Sequence, residues 1–77
     1  MNNKRRKALD EIQDQLMDLQ SALEELKDEE QECYDNLPEG IQYSEKGEAM
    51  ESAVESMEAA YDNIQDAIDN ISEAIEV

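Results

Sequence analysis

Residues 50–75, MESAVESMEAAYDNIQDAIDNISEAI, carry apolar side chains at Met50, Val54, Met57, Tyr61, Ile64, Ile68, Ile71 and Ile75. The steps alternate four and three, which puts all eight on one seam of an α-helix. In heptad notation Val54, Tyr61, Ile68 and Ile75 take position a, and the other four take d. Immediately before the a residues stand Ala53, Ala60, Ala67 and Ala74, so the apolar stripe extends to position g and is wider than a two-stranded seam requires. The alanine strip is therefore expected to receive another helix.

A second seam lies upstream. Leu9, Ile12, Leu16, Leu19, Leu23 and Leu26 repeat the same alternation, with Leu9 at a and Ile12, Leu19 and Leu26 at d. Asp10, Glu11, Asp14, Asp18, Glu24, Glu25 and Asp28 then fall on the outer b, c and f positions. Glu30 breaks the pattern at a. Pro38 disfavours helical backbone at Leu37 and ends this helix near Asn36, and Pro38-Glu39-Gly40 signals a turn. Ser44 is an N-cap for the second helix, with Glu45 and Glu48 in its first turn beside the positive dipole end.

These signals predict an all-α chain, a single domain over residues 1–77. A first helix of about 4–36, a loop at 37–43 and a second helix of about 44–76 form an antiparallel two-helix coiled-coil hairpin. Folding about Gly40 pairs residues whose numbers sum to about 80, setting Leu9 by Ile71, Ile12 by Ile68, Leu16 by Ile64, Leu19 by Tyr61, Leu23 by Met57 and Leu26 by Val54, with Gly47 by Cys33. The same register brings Lys4-Arg5-Arg6-Lys7 beside Glu73 and Glu76 and the negative end of the second helix, so this cluster needs no nucleic-acid partner. Seventy-seven residues in two helices bury little apolar surface. A homodimer is the expected remedy, two hairpins closing a four-helix bundle through the alanine strip.

Twenty-two acidic residues against six basic ones give a net charge of −16. With no run of about 20 apolar residues and no apolar signal core after the basic start, the chain is expected to be soluble and intracellular. Catalysis is not expected. There is no His, the lone Cys33 has no base to activate it, and no serine sits in a Gly-rich elbow. Cys33 itself reads as a small packing residue. Asp62-Asn63-Ile64-Gln65-Asp66 lacks the glycine of a calcium loop and lies inside unbroken heptads, so no metal and no cofactor is expected. Neither a phosphate-cradling glycine loop nor an aromatic platform for bases is present, which argues against direct nucleic-acid or small-molecule binding. Tyr34, Leu37, Ile41 and Tyr43 gather at the hairpin tip, where they either close the end or give a partner a specificity element.

The acidic face is the candidate site. On the second helix Glu48, Glu55, Asp62, Asp69 and Glu76 fill every b position, joined by Glu51 and Glu58 at e and by Asp66 and Glu73 at f, with no Lys or Arg after Lys46. Surface helices usually interleave signs. Residues 8–77 carry a net −20, which over a hairpin of roughly 45 Å is about one charge per ~2 Å, near the ~1.7 Å of duplex DNA. That density fits the basic cleft of a DNA-binding protein or nuclease, occupied by carboxylates in place of phosphates.

One stretch adds a context. Glu29-Glu30-Gln31-Glu32-Cys33-Tyr34-Asp35-Asn36-Leu37-Pro38-Glu39-Gly40-Ile41-Gln42, with Ser44-Glu45-Lys46-Gly47-Glu48-Ala49-Met50-Glu51, resembles small acidic proteins encoded by phages and prophages of Gram-positive bacteria. The resemblance implies an anti-defence role, a decoy that blocks a restriction or CRISPR nuclease. The alternative is a structural or adaptor bundle whose acidic residues only keep it in solution.

Overall fold

The computed structural model describes residues 1–77 as three helices and no strand: α1 (Asn3–Asp35), α2 (Glu39–Gln42) and α3 (Glu45–Glu76). α1 and α3 lie against each other as the arms of an antiparallel hairpin measuring 58 × 14 × 12 Å. The helix ends follow local chemistry. Asn2 caps α1, its Oδ1 accepting from the Arg5 amide at 2.9 Å. Ser44 caps α3 from extended backbone, its hydroxyl oxygen accepting from the Gly47 amide at 3.4 Å. Each satisfies one of the amides that a helix start leaves unpaired.

The segment expected to be a loop with a turn at Pro38-Glu39-Gly40 holds that turn as one of helix. Pro38 pre-sets the backbone, and its carbonyl accepts from the Ile41 and Gln42 amides at 2.8 and 3.1 Å, forming α2. The Gln42 side-chain amide then donates to the Tyr34 carbonyl at 3.0 Å and ties α2 to the end of α1. Gly47 is buried beneath this turn. A Cβ there would collide with the Gln42 carbonyl and stand 2.6 Å from the Ile41 oxygen, so the neighbour that requires glycine is the α2 backbone and not Cys33, which is exposed.

Three contacts across the hairpin give its register. Arg6 Nε donates to Ile75 O at 3.2 Å, the Gln13 amide to Ile68 O at 3.0 Å and the Gln20 amide to Tyr61 O at 3.4 Å. Each pair sums to 81, matching the expected fold-back. Arg6 Nη2 also donates to Val77 O at 2.8 Å. The basic start does meet the negative end of α3, but through Arg6 and backbone carbonyls, where Glu73 and Glu76 were expected to take part. Unpaired carbonyls at a helix end are the nearer and better aligned acceptors.

The roll of α1 departs from the heptad reading. Ile12, Leu19 and Leu26, expected against Ile68, Tyr61 and Val54, are 46%, 60% and 57% exposed. The residues turned toward α3 are instead Arg6, Leu9, Gln13, Leu16, Gln20, Leu23, Lys27, Glu30 and Tyr34, all buried or half-buried and again spaced by three and four. α1 is thus rolled by about 50° at 100° per residue. Gln13 and Gln20 hold that roll, since their amides cross the seam to α3 carbonyls and side chains. Gln20, Gly47, Val54 and Ile68 are the only buried residues, so the single hairpin has almost no dry core.

Candidate functional site

The roll gives the hairpin two unlike sides. On one side Gln20 Nε2 donates to Gln65 Oε1 at 2.9 Å, and Gln13 Nε2 donates to the Ser72 hydroxyl oxygen. Both pairs sum to 85, and the same offset puts Lys27 level with Glu58 and Tyr34 level with Glu51. Tyr34 feels that neighbour. Its phenol is held above the usual tyrosine value, first by burial, then by the Glu51 carboxylate, with Tyr43 and Asp35 adding to it. This polar ladder closes one side of the contact line.

The carboxylates of α3 lie on and beyond that closed side. At the heptad's 3.5 residues per turn, positions e, b and f follow one another around the helix within a sector of about 100°. All ten acidic residues of α3 fall inside it: Glu45, Glu48, Glu51, Glu55, Glu58, Asp62, Asp66, Asp69, Glu73 and Glu76. Every one is exposed. The structure therefore brings the nine expected site residues onto one continuous surface and adds Glu45 to them. Exposure lets water solvate each charge, which is why a run of like charges is tolerated along the whole helix.

The other side is open and, past Lys46 in the first turn, uncharged along α3. Positions d, g and c carry Met57, Ile64 and Ile71, then the alanine row, then Ala49, Ser56, Asn63 and Asn70. Ala60, Ala67 and Ala74 are half-buried, and Ala53 is exposed. Because the e rows of the two antiparallel helices meet on the closed side, the d row of α1 faces the same open side as the α3 alanines. That row is Ile12, Leu19 and Leu26. Alongside it Ala8, Gln15 and Ala22 are also neutral, and the first charge on this flank is Glu29. Spacing alone had assigned the α1 row to the hairpin core; the competing signal was the glutamine row one residue away.

Three features bear on chemistry. No group of three or more His, Cys, Asp or Glu side chains is placed to hold a metal ion, and no cavity is enclosed. No helix is long and apolar enough to cross a membrane. At the tip, Tyr43 is 75% exposed and Ile41 is exposed, whereas Tyr34 and Leu37 are half-buried. The tip quartet thus divides into two residues that close the hairpin and two that face solvent. The length of 58 Å also corrects the charge density: −20 over that rod is one charge per about 3 Å, a little over half the density of duplex DNA.

Comparison with family models, with curated proteins and with solved structures gives no match.

Proposed function

We propose that this chain is a non-catalytic, acidic binding protein of phage type that occupies the basic cleft of a host DNA-binding defence protein, a restriction or CRISPR nuclease, and inhibits it by competition with DNA. One observation carries the reading: all ten α3 carboxylates are exposed within a single ~100° sector, while the remaining face of the same helix bears no charge beyond Lys46 in its first turn. A surface made acidic only for solubility gains nothing from such segregation, since interspersed signs are soluble as well and add attractions along the helix. A surface that replaces phosphates gains a great deal. Focused like charge steers a cationic partner from a distance and speeds encounter, and a smooth rod fits a channel made for a duplex. The cell compartment implied is the cytoplasm of an infected bacterium.

A second reading has its own support. The exposed Ile12, Leu19 and Leu26 beside the alanine strip fit a structural or adaptor protein that works through its apolar side, with the acidic sector only holding it in solution.

Charge reversal separates the two. The chain is used as bait in a bacterial lysate at low and at high salt, beside a variant with Glu55→Lys, Glu58→Lys, Asp62→Lys and Asp69→Lys. The mimicry reading expects DNA-binding proteins that the variant fails to hold, and that salt or added duplex DNA releases from the wild-type bait. Retention of the same proteins by the variant rules it out. Ala60→Glu with Ala67→Glu makes the corresponding test of the adaptor reading, which fails if those substitutions leave binding intact.

A further inference from the structure

We propose that the open side of the hairpin is the docking surface for a second copy of this chain. The two copies are related by a two-fold axis parallel to the rod, so that α1 of each lies antiparallel against α3 of the other. This does not rest on either reading of the acidic sector. Four observations carry it.

The first is area. A compact monomer of 8.8 kDa exposes about 4,800 Å², and this hairpin exposes 5661 Å². The excess of roughly 900 Å² is close to the ~800 Å² per partner that a standard interface removes from water. A rod face of 58 × 14 Å supplies that area.

The second is charge. A chain of net −16 keeps the d and g rows of one side neutral from Ala8 to Leu26 on α1 and from Ala49 onward on α3, with α1 carboxylates only at its outer edge, and that side is the one with exposed leucines. A cationic partner would be met by carboxylates. A neutral face suits a partner that is equally acidic, and an identical copy is one.

The third is shape. The open side has a ridge, Ile12, Leu19 and Leu26, and a trough, the alanine row, so it is complementary to itself in the manner an isologous interface requires. The hairpin register puts α1 and α3 residues at equal height when their numbers sum to 81–85. A two-fold axis along the rod preserves that height between copies. Ile12 then seats between the partner's Ala67 and Ala74, Leu19 between Ala60 and Ala67, and Leu26 between Ala53 and Ala60. Every large side chain meets a gap between two small ones, the knob-into-hole relation of a helical bundle.

The fourth is the rim. The same height rule brings the outer α1 carboxylates Glu11, Asp18 and Glu25 level with the partner's Asn70, Asn63 and Ser56. Acid faces amide or hydroxyl at each level, and no carboxylate faces a carboxylate.

Pairing has a consequence for the acidic sector. Two copies side by side hold twice the −20 of residues 8–77 over the same 58 Å, one charge per about 1.5 Å against ~1.7 Å for duplex DNA. The density that a single hairpin lacks is reached by the dimer, with both α3 sectors on its outside.

Sedimentation equilibrium on the full chain over ~1–100 μM tests the proposal. The expected result is a dimer whose association tightens as NaCl rises, because salt screens the repulsion between two acidic rods; binding to a cationic cleft would weaken with the same change. Leu19→Glu with Leu26→Glu is expected to weaken dimerisation by ~100-fold or more. Both side chains are more than half exposed in the single hairpin, so the loss reports on association. Met17→Glu replaces a comparably exposed apolar residue, 44% exposed, on the closed side and is expected to leave the dimer unchanged. A wild-type monomer throughout the range, a dimer that survives the paired leucine substitutions, or one abolished by Met17→Glu would each overturn the proposal. The four-lysine variant of the acidic sector keeps the open side intact and still dimerises, so failure of the mimicry reading leaves this result untouched.

Discussion

The Gln20 amide reaches across the hairpin to Gln65 Oε1 at 2.9 Å and shares its second proton with the Tyr61 carbonyl at 3.4 Å. Gln20 is the only buried polar side chain of the molecule, and it sits where a leucine seam had been expected to dominate. A buried polar group fixes register because every other alignment leaves it unpaired. Gln20→Ala is therefore expected to lower the stability of the chain by about 1–2 kcal/mol, read from the urea midpoint at constant slope. Asp14→Ala, exposed on the same helix, serves as the control and should move the midpoint by no more than a few tenths. An unchanged midpoint for Gln20→Ala would mean that the amide does not set the register.

The two glycines should respond in opposite directions. Gly47→Ala drives a methyl into the carbonyls of Gln42 and Ile41, where only backbone movement gives relief, and should cost about 1–3 kcal/mol. Gly40 has open space around it and no positive φ, so Gly40→Ala should be neutral or stabilise by up to about 1 kcal/mol through a less flexible unfolded chain. Thermal melts of the two variants check both signs.

Arg6 caps the far end. Its guanidinium holds the carbonyls of Ile75 and Val77, the last acceptors of α3. Replacing it by Ala should release that turn and cost about 0.5–1.5 kcal/mol. Hydrogen exchange is the direct measurement: amides of residues 72–77 should lose protection while those of the middle of α3 keep theirs. Uniform loss along α3 would instead assign Arg6 a global role.

Alkaline pH should loosen the tip. The Tyr34 phenol is raised above its unfolded value by burial and then by Glu51, so the fold favours the protonated form. Its contribution is complete below the unfolded value of about 10 and is lost as pH climbs through the higher folded value. Tyr34→Phe should accordingly flatten the fall in stability above pH ~10, measured by melts across the alkaline range; an equally steep fall in the variant would refute this assignment.

Salt should stabilise the chain. With a net charge of −16, self-repulsion opposes the compact hairpin, and screening at 0.1 M and above reduces it. Each kcal/mol relieved raises Tm by about 4–8 °C for a chain of this size. A Tm that does not rise between low and high NaCl would show that the one-sided carboxylates repel less than their spacing implies.

The linear chain determined much of this. The hairpin, its register and its cap at Ser44 follow from signals local in sequence: apolar steps of three and four, a proline that stops a helix, a short polar side chain that accepts from a free amide. The acidic sector is equally local, because position around one helix depends only on residue number. All nine carboxylates singled out by spacing share one face for that reason, and Glu45 joins them by the same periodicity.

What the linear chain left open is the roll of one helix against another. In α1 two rows one residue apart compete for the seam, Ile12, Leu19 and Leu26 against Gln13, Gln20 and Lys27, and periodicity weighs them by polarity alone. Tertiary structure decides otherwise because Gln13 and Gln20 find acceptors on α3 that exist only once the arms are paired, at Ile68, Ser72, Tyr61 and Gln65. That choice rolls the leucine row outward and creates a neutral apolar side opposite an acidic one. Which residues are apolar was a property of the chain; which of them remain uncovered was a property of the pair.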